Sequence, residues 1–258
     1  MAEAGEVRPR APQINAVSFD NVMDSLKKGV SDFFRAPLFG LFFGGIYAGG
    51  GLLVLYFLYQ LEKPWLILPI AIGFPLIGPF VAVGLYETSR RLEAGEPLTW
   101  KAILTVVFRQ RERELSWMAF VVLFVFWIWL YQVRLLMALF LGFKSMSTIA
   151  SFIDVVTTTT EGMAFLAVGT VVGGILALVL FSTTVISIPL LMEREYDFVT
   201  AIITSVKTVT LSPAPMIAFG IVVAVLAILA LLPAFLGLLV ILPVLGHATW
   251  HLYRKAIA

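Results

Sequence analysis

The chain has 258 residues, 60% of them apolar and only 13% charged, with a mean hydropathy of +0.98. A soluble domain of this length carries roughly a quarter charged residues, so the composition excludes a water-soluble globule and points to lipid. The absence of cysteine excludes disulfides, thiolate-held iron–sulfur clusters and covalently attached haem c, and the net charge of +2 gives no reason to expect nucleic acid as a partner.

The first 16 residues, with Pro9 and Pro12 and no periodicity, read as a disordered tail without the apolar core of a cleavable signal peptide. From Ser18 to Phe34 apolar Phe19, Val22, Met23, Leu26, Val30, Phe33 and Phe34 recur at helical spacing. Asp24, Lys27, Lys28 and Asp32 lie elsewhere on the wheel. That pattern predicts an amphipathic helix at a membrane surface. A first span follows from Pro37 to Tyr59, long enough for the roughly 20 residues a bilayer requires. Gly40 with Gly44, and Gly45 with Gly49, are four apart on it, as are Gly169 and Gly173 on a later span. Such spacing lets helix backbones approach closely; glycine as filler is the plain alternative. A second span runs from Pro64 to Tyr86 and is kinked by Pro69, Pro75 and Pro79.

A third span starts near Leu115 and carries Trp117, Trp127, Trp129 and Tyr131, with Arg134 at its far end. Residues 135–161 are mixed in character and fit an interfacial segment. The fourth span is read from Gly162 to Met192, the fifth from Pro213 to Leu232, and the sixth from Ala234 to His251. Six spans place fifteen of the eighteen Lys and Arg residues on the side of the termini. By the positive-inside bias both termini are then cytoplasmic.

The spans repeat. Pro79 and Pro189 each precede a charged run, and Ala102-Ile103-Leu104-Thr105 is answered by Ala201-Ile202-Ile203-Thr204. Short amphipathic segments at 18–34, 97–112 and 197–211 each lead into a pair of spans. The expected fold is therefore all-α: a single polytopic domain over 17–258, with six transmembrane helices as three pseudo-repeated hairpins, each preceded by a short amphipathic surface helix.

The runs GPFVAVGLYETSRRLEAGEP, PLLMEREYDFVTAIITSVKTV and LPVLGHATWHLYR resemble those of a family of six-helix bacterial inner-membrane proteins classed as a domain of unknown function. Some of its members carry the label cytochrome c oxidase subunit I. The resemblance covers most of the chain beyond the tail and implies a bacterial inner-membrane location, but it implies no catalytic residues. The oxidase label fails on chemistry. A haem–copper catalytic subunit needs about six membrane-embedded histidines, and this chain has two, His247 and His251.

Those two histidines share a helix face. Aligning the copies on Pro79, Pro189 and Pro243 sets Val83, Glu193 and His247 in register, then Glu87, Asp197 and His251. Two imidazoles with Glu87 and Glu193 suit a zinc or manganese ion; interfacial residues bonded to one another and to headgroups are the plainer alternative. Arg90, Arg91, Arg109, Arg111 and Arg113 are expected at anionic headgroups. A transporter would need charge within a span or a broken helix, and Pro69, Gly73, Pro75, Gly78 and Pro79 supply a candidate break. No nucleophile elbow, phosphate-binding glycine loop or HExxH motif is present. The expectation is a protein with no enzymatic activity and no cofactor, an accessory or scaffolding subunit of a larger membrane complex such as a respiratory or photosynthetic assembly. Its partners would be the lipid bilayer and other integral membrane proteins, with a small-solute transporter or channel as the alternative.

Overall fold

Helices form wherever the apolar runs reach sufficient length, because a backbone in or beside lipid must satisfy its own hydrogen bonds. The computed structural model describes residues 12–59, 67–110, 114–142 and 149–258. In chain order the helices are α1 (Phe19–Arg35), α2 (Pro37–Tyr59), α3 (Ile67–Ala94), α4 (Trp100–Arg109) and α5 (Leu115–Leu136), which runs into a π-helical turn at Met137–Leu141. Then come α6 (Ile149–Thr158), α7 (Thr160–Thr184), α8 (Ser187–Glu193), α9 (Phe198–Leu211), α10 (Pro213–Leu231) and α11 (Leu238–Ala256). Among the described residues there is no strand beyond an isolated bridge between Ile14 and Ile257. Four stretches are long and apolar enough to cross a membrane: Pro37–Phe57, Leu115–Leu141, Thr160–Glu193 and Pro213–Leu231.

The three segments expected as short helices are α1, α4 and α9, and each opens on a side-chain cap. Ser18 accepts from the Asn21 amide, Thr99 from the Ala102 amide and Asp197 from the Thr200 amide. A cap at this position occupies one of the amides that a helix start leaves without a partner. Each short helix is followed by an apolar one: α2, α5 or α10.

The chain divides into two compact units, Met1–Ala119 with Ser182–Ala258, and Phe120–Phe181. In the first, α11 is the centre, packed against α1, α2, α3, α10 and α8. Close approach rests on small residues. A Cβ at Gly29 would stand 2.6 Å from the Val244 carbonyl oxygen, one at Gly44 2.7 Å from that of Leu238, and one at Gly84 would overlap the Phe43 ring. In the second unit the α6–α7 turn is tight at Gly162, where a Cβ would stand 2.1 Å from the Val155 carbonyl oxygen.

Several expectations are corrected. Of the tail at 1–16, residues 1–11 lie outside the described residues. Asn15 N–H donates to Ala256 O at 2.8 Å, Ala258 N–H to Gln13 O at 3.1 Å and Val17 N–H to Ser212 Oγ at 2.8 Å. These bonds tie residues 13–17 to the C-terminus and to the start of α10. The span expected from Gly162 to Met192 is two helices, α7 and α8. Pro189 has no N–H to give the Val185 carbonyl, and the Ile186 amide is taken by Ser205 Oγ at 3.1 Å. In α1 the buried stripe is not the apolar one. Val22, Ser25, Gly29, Asp32 and Phe33 are buried, while Phe19, Met23, Val30 and Phe34 are exposed. The helix therefore has three faces: protein-facing, apolar-exposed and charged. By contrast, α3 is helical throughout Ile67–Ala94, its prolines included.

Candidate functional site

Charge in the first unit gathers where α3, α4, α8 and α11 come together. On α3, residues three and four apart share a face, so Glu87 reaches both following arginines. It accepts from Arg90 Nε at 2.7 Å and Nη2 at 2.9 Å, and from Arg91 Nε at 2.7 Å. The helix stops at Gly95, whose φ of +66° is open to glycine at no steric cost. The reversal brings Glu96 back over Arg90, with two bonds of 2.9 Å. The Arg90 guanidinium, by hydrogen bonding, holds the Glu96 carboxyl below its ordinary value.

The end of α11 meets the end of α8. Tyr253 donates its hydroxyl to Glu193 Oε2, and Arg254 Nη1 lies 3.0 Å from Glu193 Oε1. Arg254 also approaches Glu93 at 3.4 Å, and the Trp250 indole donates to Glu93 at 3.3 Å. Between these groups lies a pocket of about 640 Å³ whose walls include Glu87, Glu93, Arg109, Gln110, Glu193 and Arg254.

A buried polar seam runs along α11 where it meets α1 and α3. His251 Nε2 is 2.7 Å from Asp32 Oδ2, and His247 Nδ1 is 2.8 Å from Ser89 Oγ. Lys255 caps the seam with an ion pair to Asp24. His247 is fully buried, and its Nε2 has no hydrogen-bond partner among the described residues.

These contacts place each candidate from the sequence. Glu87 is held by arginines, Glu193 by Tyr253 and Arg254, His247 by Ser89, and His251 by Asp32. Asp197, in their predicted register, instead caps α9. Among the described residues no group of three or more His, Asp or Glu side chains converges on a metal position. Arg90 and Arg91, expected at headgroups, are occupied by Glu87 and Glu96. Arg109 has no ion pair among the described residues, and Arg111 and Arg113 lie outside them. Gly40 and Gly44 are closed in by neighbouring side chains and backbone; Gly45 has Leu239 at 3.8 Å and Gly169 has Leu136 at 3.9 Å; Gly49 and Gly173 meet nothing within 4 Å.

Pattern reading missed Asp32, Ser89, Glu93 and Gln110. One signal was present: Ser25, Gly29 and Asp32 form a small and polar stripe at helical spacing, the mark of a helix packing closely on another. Nothing in the sequence pairs Ser89 with a residue 158 positions away.

Residues 67–193 match the model of a family described as a predicted integral membrane protein (DUF2189). No curated protein and no solved structure matches the chain. Over that stretch the chain is similar to a membrane family of unknown function, and with its apolar helices it is an integral membrane protein.

Proposed function

We propose that the protein is a non-catalytic accessory or scaffolding subunit that packs against other integral membrane proteins. Its six spans would be α2, α3, α5, α7 with α8, α10 and α11, arranged as three repeated hairpins, each led by α1, α4 or α9. The triple recurrence of a capped short helix before an apolar helix supports the repeat. Fifteen of eighteen basic residues on the side of the termini support a cytoplasmic location for both ends in a bacterial inner membrane. A respiratory or photosynthetic assembly is the partner suggested by the family labels alone.

The observation that carries the reading is the state of the second and third candidate spans. Of the most apolar windows of Leu115–Leu141 and Thr160–Glu193, 6% and 0% are buried, against 33% for Pro37–Phe57. Gly173 and Gly174 on α7 have nothing within 4 Å of a built Cβ. Lipid supplies no hydrophobic drive for association, so small residues left open on an apolar helix suit a partner helix that can approach their backbone. The charged groups point the same way: Glu87 and Glu193 are held in ion pairs, which suits structural residues better than proton donors.

The test is affinity purification of the full chain in mild detergent, with identification of co-migrating membrane proteins, beside Gly173→Leu and Gly174→Leu variants. A stoichiometric partner lost from the variants, at unchanged melting temperature of the isolated chain, is the expected result. Solute flux through the pure protein in liposomes would replace this reading with a transporter.

A further inference from the structure

We propose that the pocket among α3, α4, α8 and α11 binds a phosphoethanolamine group, its phosphodiester on Arg109 and its ammonium on Glu93 and Gln110. The inference goes beyond an accessory role and stands whether or not a protein partner exists; only the lipid source of the group rests on α3 being a span.

Most charges on the pocket wall are already paired. Glu87 and Glu96 are matched by Arg90 and Arg91 through contacts of 2.7–3.1 Å. Glu193 is matched by Arg254 at 3.0 Å and by the Tyr253 hydroxyl, with Arg194 at 3.8 Å. Three wall groups are left over. Arg109 has no ion pair among the described residues. Gln110 is 2% exposed and its Oε1 has no donor among the described residues. Among the described residues Glu93 has two long contacts, both to one oxygen, from Trp250 at 3.3 Å and Arg254 at 3.4 Å.

Among the described residues, a cation without an ion pair stands beside one acceptor without a donor, Gln110 Oε1, and one held only by long contacts, Glu93; together they select a ligand carrying both an anion and an N–H donor. A buried carbonyl oxygen without a donor costs free energy that a ligand N–H recovers. A guanidinium is the preferred partner of a phosphate. The pocket's volume of about 640 Å³ leaves ample room for such a group. Its position fits lipid too: Glu87 is the first charge after the apolar run of α3, the depth at which headgroups lie.

The test uses the delipidated full chain in detergent, titrated with phosphatidylethanolamine, phosphatidylcholine and phosphatidylglycerol of identical acyl chains. Binding is read by native mass spectrometry. Phosphatidylethanolamine should bind at least about tenfold tighter than phosphatidylcholine, whose trimethylated nitrogen cannot donate, and than phosphatidylglycerol, which has no cation. Arg109→Ala should weaken phosphatidylethanolamine about tenfold while the melting temperature without lipid stays unchanged. Displacement by soluble O-phosphoethanolamine would support the same chemistry with a free solute as its source; selectivity without displacement would support the headgroup. Equal binding of the three lipids by the unaltered chain, binding of none, or an Arg109→Ala protein that binds as the parent does, overturns the proposal.

Discussion

Glu87 is 2% exposed, and both its oxygens are taken by guanidinium nitrogens at 2.7–2.9 Å. Glu87→Gln keeps the shape and removes the charge, leaving two part-buried arginines to share Glu96. Unpairing a buried ion is among the costliest single changes, softened here because Arg90 reaches solvent. The expected loss is about 2–3 kcal/mol, read as a lowered melting temperature in detergent. Asp32 yields a prediction in pH. Burial pushes its carboxyl up, but hydrogen bonds from His251 and Ser89 outweigh burial and hold it below its ordinary value of 3.8. A carboxyl depressed in the folded state contributes stability above 3.8, lost as pH falls through the folded value. The melting temperature should therefore decline as pH drops below 3.8, and Asp32→Asn should lessen that decline. An unchanged acid limb in Asp32→Asn would mean that the other depressed carboxyls, Asp24, Glu96 and Asp197, account for the whole effect.

Among helices the decisive variable is how closely two backbones approach. Apolar contact between helices earns little from water exclusion when the alternative neighbour is a lipid tail, so packing depends on van der Waals fit. Gly29 lets α1 lie on α11 at a distance no side chain would allow, with the Ala248 amide nitrogen 2.7 Å from a built Cβ. Gly29→Leu and Gly44→Leu should each lower the melting temperature in detergent substantially, because the obstructing atoms are backbone and cannot turn aside. Gly49→Leu, with nothing within 4 Å, should leave it nearly unchanged. Equal effects at Gly44 and Gly49 would mean that helix propensity, not contact, sets the outcome. Sequence spacing ranks these glycines alike. What separates them is which side of α2 meets α11, and that depends on residues some two hundred positions on.

For the molecule as a whole, the absence of native cysteine makes single-cysteine labelling clean. With six spans and both ends on one side, Lys101→Cys and Ala258→Cys should react with an impermeant reagent from the cytoplasmic face only. Glu62→Cys, at a position outside the described residues, should react only from the opposite face. Labelling of Lys101→Cys and Glu62→Cys from the same face would end the six-span arrangement. On that arrangement α1 would lie at the interface: Phe19, Met23, Val30 and Phe34 are exposed on one face, and Asp24 and Lys28 pair on another.

The membrane character, the helical class and the places of the three short helices were legible in the sequence, because each rests on local pattern. An apolar run too long for water, a cap residue and a helical spacing act within a few residues of themselves. The break between α7 and α8 was legible in principle, since Pro189 cannot satisfy the Val185 carbonyl. Only the tertiary structure decided that Asp32 turns inward to His251 and that Ser89 meets His247. Those pairings depend on the rotation of α1, α3 and α11 about their own axes. Rotation is set by close contacts at glycines and by the summed fit of many side chains, which no local stretch encodes.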